Sequence, residues 1–219
     1  MPAPDVTLIA PYPPIGARHG GVSGVASYTA NLAGALSAAG ARVDVVAPLQ
    51  DGRAADERDG AVRVRRCFAR TSRGTARAFG AAVASGAPVV HLQHEFLLYG
   101  GPASNAGLAW GLRAVRRCRR ASVATLHQVV DPGGVDRAFT RMHRVRMPAW
   151  LAGGGLSTMQ RALSCSVDRV VVHEPAFAET VPGAAVVPHG VERATPIDRR
   201  RARATLGLEP ERLCVLCFG

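Results

Sequence analysis

Short apolar runs alternate with longer amphipathic stretches along almost the whole chain, and this alternation leaves few folds open. The runs Asp5 to Ala10, Ala41 to Ala47, Ala61 to Phe68, Pro88 to Gln93, Ser122 to Leu126, Arg169 to Val172 and Ala184 to Val187 read as strands. Between them, Val25 to Ala39, Thr71 to Ser85 and Pro102 to Arg117 carry helical periodicity. Gly40 and Gly86 supply helix stops. Asp51 to Gly60 reads as a polar loop. Arg137 to Gln160 reads as two helical pieces, broken at Pro148 and at Gly153-Gly154-Gly155. Strands that alternate with helices predict an α/β fold, a doubly wound parallel sheet covered on both faces.

In such sheets ligands sit at the carboxyl ends of the strands. The unusual residues of this chain gather there. Pro11-Tyr12-Pro13-Pro14 follows the first strand and leads to Gly20-Gly21-Val22-Ser23-Gly24 and a helix. Glycines let backbone approach a ligand, and a helix N-terminus favours negative charge, so this turn is a candidate phosphate seat. Four of the seven histidines are expected just past a strand end: His94-Glu95, His127-Gln128, His173-Glu174 and His189-Gly190. His127 faces the crevice opposite the glycine turn in this reading, where an imidazole donates to an oxyanion or a sugar hydroxyl.

Several other chemistries fit poorly. The glycine turn is not G-x-G-x-x-G, and no G-x-x-x-x-G-K-[ST] occurs. Asp44 lies mid-strand and not at the strand end where a dinucleotide ribose needs an acid. His91 and His94 would point apart on a strand, so they make no metal site, and His91 reads as a core histidine. Cys214-Val215-Leu216-Cys217 lies in the apolar run Leu213 to Phe218, where positions three apart face opposite sides. Buried structural cysteines are the expectation there.

The net charge is +11 over 219 residues, and every basic residue is arginine. Arg113, Arg116, Arg117, Arg119 and Arg120 form one cluster, and Arg199, Arg200, Arg201 and Arg203 another. No aromatics interleave with them as on a single-strand platform, so nucleic acid is not an expected partner. The five cysteines come without a secretory signal and are expected as thiols. No apolar run reaches the roughly 20 residues needed to span a bilayer. A cytoplasmic protein is expected, and the basic helices suit peripheral contact with anionic membrane at its inner face.

Taken together, Pro11-Tyr12-Pro13-Pro14, Gly20-Gly21-Val22, Val90-His91-Leu92-Gln93-His94-Glu95, Val123-Ala124-Thr125-Leu126-His127 and Val187-Pro188-His189-Gly190-Val191 resemble the N-terminal domain of GT-B glycosyltransferases of the retaining family 4. The resemblance implies a Rossmann-like domain over residues 1–190, a linker over 191–212, and in 213–219 the first strand of a truncated donor-binding domain. It implies transfer of a sugar from a nucleotide-diphosphate-sugar donor to an acceptor, with no metal or other cofactor. Gly20, Gly21 and Val22 would approach the donor phosphates and the reacting centre. His127 would sit by the transferred sugar as the catalytic histidine. Tyr12, His94, Glu95 and Gln128 would line the acceptor cleft, with His173, Glu174, His189 and Gly190 towards the interdomain side. The Arg-Lys pair and acidic motif of the family's second domain are absent from these 219 residues, so the chain alone is expected to be inert.

A reading from a different class is a non-catalytic binding module for a phosphorylated or glycosylated ligand or a protein partner. An exposed strand at 213–218 would also offer a homodimer contact.

Overall fold

The computed structural model describes residues 2–17, 23–142, 145–191 and 195–215. They form two compact units, 1–188 and 189–219. In the first, β1 (Val6–Ile9), β2 (Val43–Pro48), β3 (Ala55–Asp59), β4 (Val62–Phe68), β5 (Val89–His94), β6 (Ala121–Leu126), β7 (Arg169–Val172) and β8 (Ala185–Val186) make one sheet. Its order is β3-β4-β2-β1-β5-β6-β7-β8. Every pairing is parallel except that of β3 with β4. The helices of this unit are α1 (Gly24–Ala38), α2 (Ser72–Ala84), α3 (Pro102–Arg117), α4 (Arg137–Met142), α5 (Ala149–Ser164) and α6 (Pro175–Thr180).

Two apolar layers hold the sheet between its helices. On one face α1 lays Ala30 and Ala33 on Leu8, Val45 and Val64. On the other, Phe79 and Ala82 of α2, Leu108 and Leu112 of α3 and Leu163 of α5 pack over Ile9, Val46, Leu92 and Leu126. The doubly wound, mostly parallel arrangement expected from the alternation is present. Burying a side chain of this size stabilises by about 1.5–3 kcal/mol, so these layers dominate the fold's stability.

Three expectations need correction. Residues 51–60 are not wholly loop, because Ala55–Asp59 forms the antiparallel edge strand β3. Arginines of β4 reach its acidic side chains diagonally across the hairpin: Arg63 makes a two-armed bond to Asp56, and Arg66 Nε donates to Glu57 at 2.6 Å. The run Gly153-Gly154-Gly155 does not break a helix; α5 passes through it unbroken from Ala149, with Pro148 at its N-cap as expected. At Gly153 a Cβ would meet Val135 Cβ at 3.3 Å, so glycine serves close packing there. Finally, Leu213 to Val215 form no strand, and Leu213 and Val215 are exposed. Cys214 is therefore an exposed thiol and not a buried one. The rest of that predicted strand, 216–219, lies outside the described residues.

The second unit holds α7 (Arg199–Thr205), capped by the Asp198 side chain accepting from the Arg201 amide. Arg203 folds the following chain back by donating to the carbonyls of Glu209 and Arg212.

Candidate active site at the carboxyl edge of the sheet

The strand order reverses at β1. The chain moves from β1 outward through β2 to β4, then returns to lay β5 on the other side of β1. A crevice opens where strands part in this way. Here the β1–β5 pairing ends at Ile9 and Leu92. Buried Tyr99 plugs the base of the gap, its hydroxyl 2.7 Å from Ile9 O and 2.8 Å from Gln93 O. Both carbonyls thus gain a partner where the ladder stops.

To one side of this point lies a cleft of about 260 Å³ lined by the Pro11–Pro14 run, Ser23, Ala26, Gln50, Arg66 and Arg70, among others. Ser23 caps α1 by accepting from the Ala26 amide. Tyr12 lines the cleft but is buried, and its hydroxyl donates to Asp59 at 2.8 Å. Arg66, also buried, donates to the carbonyls of Tyr12 and Pro13 at 3.0 and 2.7 Å. The loop after β1 is therefore pinned to the β3–β4 hairpin. Gly20, Gly21 and Val22 lie outside the described residues.

To the other side, His127 follows β6 directly and His173 follows β7 directly. Their ring centroids are 4.9 Å apart. Tyr28, from the first turns of α1, meets both rings edge-on, at 4.6 Å from His127 and 5.2 Å from His173. Burial pushes the Tyr28 hydroxyl above its ordinary pKa. His127 Nε2 stands 2.8 Å from Gln93 Oε1, and His173 Nδ1 donates to Val187 O at 2.9 Å. Three elements thus bring an imidazole pair and a phenol together at the sheet's carboxyl edge.

His94 does not join them. It is the last residue of β5, not the first beyond it, and strand alternation turns it to the opposite face, beside Phe96 and α3. It is 1% exposed. Burial lowers its pKa to about 4, an effect partly offset by the nearby Asn105, although neither His94 ring nitrogen reaches a partner in hydrogen-bond geometry among the described residues. Glu95 and Gln128 are half-buried in the loops that follow β5 and β6, and Glu174 is exposed at the N-cap of α6. His189 and Gly190 are exposed residues of the second unit.

A pinned loop after β1, a strand-order reversal and polar rings past β6 and β7 mark the ligand edge of a doubly wound sheet. Residues 22–194, well over half of the chain, match the domain family described as Glycosyltransferase Family 4. The chain belongs to that family. No curated protein matches it.

Within this family-4 domain, sequence reasoning singled out His127 and His173 but passed over Tyr28, Gln93 and Tyr99. Gln93 gave the clearest signal: an amide between Leu92 and His94 in a strand read as central must find partners when buried. The arginine cluster forms a separate, open hollow of about 510 Å³ lined by Arg113, Arg116, Arg117, Arg120 and Asp168. Arg116 pairs with Asp168 at 2.9 Å. Among the described residues, no helix is long and apolar enough to cross a membrane.

Proposed function

We propose that this chain is the acceptor-side domain of a retaining transferase that moves a sugar from a nucleoside diphosphate to a hydroxyl acceptor. The observation that carries the reading is the His127–Tyr28–His173 group at the carboxyl edge of the sheet. In it His127 meets the transferred sugar, and Tyr12, Glu95 and Gln128 border the acceptor's approach. Departure of a diphosphate builds negative charge, and the glycine turn with the N-terminus of α1 is placed in the sequence to meet it. The donor nucleotide is held by residues outside 22–194 in this reading, with neither metal nor other cofactor.

The test is release of nucleoside diphosphate from a panel of UDP-, GDP- and ADP-sugars, using the protein expressed from its whole reading frame. His127→Ala is expected to lower turnover by about a hundredfold or more. Turnover within twofold of the parent would remove His127 from the reaction. Product anomeric configuration, read by NMR, checks retention.

A peripheral encounter with anionic membrane forms part of the proposal. On α3, Trp110, Arg113 and Arg117 are exposed at a spacing that places them on one stripe. An aromatic ring with arginines suits a headgroup layer. Vesicles rich in phosphatidylglycerol should sediment the protein, and Arg113→Glu with Arg117→Glu should abolish this. Equal sedimentation with neutral vesicles, or no loss in the variant, would refute it.

A further inference from the structure

Strand β5 carries two polar side chains, His91 and Gln93, on the α1 side of the sheet. Gln93 is fully buried, so its amide needs partners at both ends. Its Nε2 stands 3.2 Å from His91 Nε2, and its Oε1 stands 2.8 Å from His127 Nε2. Thr125 Oγ1 stands 2.8 Å from the same His91 nitrogen.

With the Gln93 amide turned so that Nε2 faces His91 and Oε1 faces His127, the chemistry of these groups sets the direction of each bond. An amide NH2 only donates. His91 Nε2 must therefore accept, and the ring's own hydrogen sits on Nδ1. Burial lowers the His91 pKa to about 4, so this neutral ring persists at ordinary pH. The Thr125 hydroxyl rotates and suits either arrangement. With its amino end committed to His91, Gln93 turns only its carbonyl oxygen to His127. That oxygen only accepts, so His127 Nε2 carries a hydrogen whether the ring is neutral or charged.

We propose that Gln93, its amino end held by His91, is a positioning residue that commits His127 Nε2 to donation and makes Nδ1 the nitrogen at which His127 gains and loses its proton. Nδ1 is thus an acceptor in the neutral His127 ring and a donor in the charged one. The catalytic consequence rests on the transferase reading above; the proton arrangement does not.

The experiment is long-range 1H–15N NMR on the 15N-labelled 219-residue chain, comparing the parent with Gln93→Leu and Gln93→Glu. In the parent, His127 is expected as the Nε2–H tautomer and His91 as the Nδ1–H tautomer. Gln93→Leu removes the acceptor, and His127 should become a mixture of tautomers. Gln93→Glu keeps an acceptor and adds a charge; the His127 titration midpoint should rise by about one pH unit or more. His91 should then switch to its Nε2–H form to meet the new oxygen.

An Nδ1–H tautomer for His127 in the parent overturns the proposal. So does a Gln93→Glu variant whose midpoint and tautomers match the parent's. Should Gln93→Leu fail to fold, the parent spectrum and Gln93→Glu still decide. In the transferase assay, Gln93→Leu should lower kcat about tenfold at unchanged KM, with activity restored by Gln93→Glu. Spectra as expected with no sugar transfer by the parent would sink the proposed function and leave this inference standing.

Discussion

Lowering the pH from 7 to 4.5 is expected to cost the sheet domain about 5 kcal/mol of stability, with most of the loss falling below pH 6.5. His91 and His94 both have folded pKa values of about 4 against an ordinary 6.5, and desolvation is the dominant cause in each. A base whose folded value is lowered binds its proton more readily when unfolded. Stability is therefore complete above pH 6.5, is lost as pH falls, and the loss saturates below about 4. Each histidine contributes about 1.4 kcal/mol per pH unit within that window, or on the order of 3 kcal/mol in all. Together they rival the roughly 5–15 kcal/mol that holds a typical domain.

The carboxylates act elsewhere on the scale. Arg42 holds the Asp5 carboxyl at about 2, from an ordinary 3.8, and Arg63 lowers that of Asp56. Their contributions are present above 3.8 and fade only as pH falls below it. Urea denaturation at pH 7, 6 and 5 measures the effect, and His94→Gln should reduce the pH slope by about half. A stability that stays level from pH 7 to 5 would show that these rings are not held neutral by burial.

Replacing Gly74 by alanine is expected to destabilise the domain by about 3 kcal/mol, whereas the same change at Gly80 should stabilise it by about 0.5–1 kcal/mol. Both glycines lie in α2. A Cβ on Gly74 would stand 1.8 Å from the backbone carbonyl oxygen of Ala69, which cannot yield without moving the chain that enters the helix. A Cβ on Gly80 meets nothing within 4 Å. The segment at issue is squeezed from a second direction: Gly100, at φ +113, stands where a Cβ would lie 2.4 Å from Arg70 O. Arg70 lines the cleft beside β1, so Gly74→Ala also shifts one wall of that cleft. Thermal melts of the two variants suffice, and equal Tm changes would refute the argument.

The elements legible in the sequence were those with an apolar period. β2, β5, β6 and β7 each carry enough Val, Leu or Ala to mark a strand, and α1 to α3 carry a single buried stripe each. The edge strand β3 has no apolar face, and its Asp56 and Glu57 are explained only by the Arg63 and Arg66 side chains that reach them from β4. At Gly153 the sequence offered a helix breaker, where the folded chain needs a close approach to Val135. For the site, one residue decided the outcome. Reading β5 as ending at Gln93 left His94 in the loop, but one further residue of strand turns it to the far side of the sheet. His127 and His173 were legible because the strands before them end where their apolar runs end. Tyr28 was not, since a tyrosine on a helix declares nothing until the sheet beneath it is known.

The β3–β4 hairpin bears on how copies of this protein meet in a crowded cell. A parallel sheet left open at its margin invites another chain to add a strand and keep adding. Along one margin any incoming strand would face Ala55–Asp59, a short stretch whose Asp56 and Glu57 side chains are already engaged by arginines. Along the other, β8 offers only two residues of ladder. Runaway polymerisation by strand addition is thus opposed at both margins of this sheet, so the strongly basic chain does not depend on charge repulsion alone to keep its copies apart.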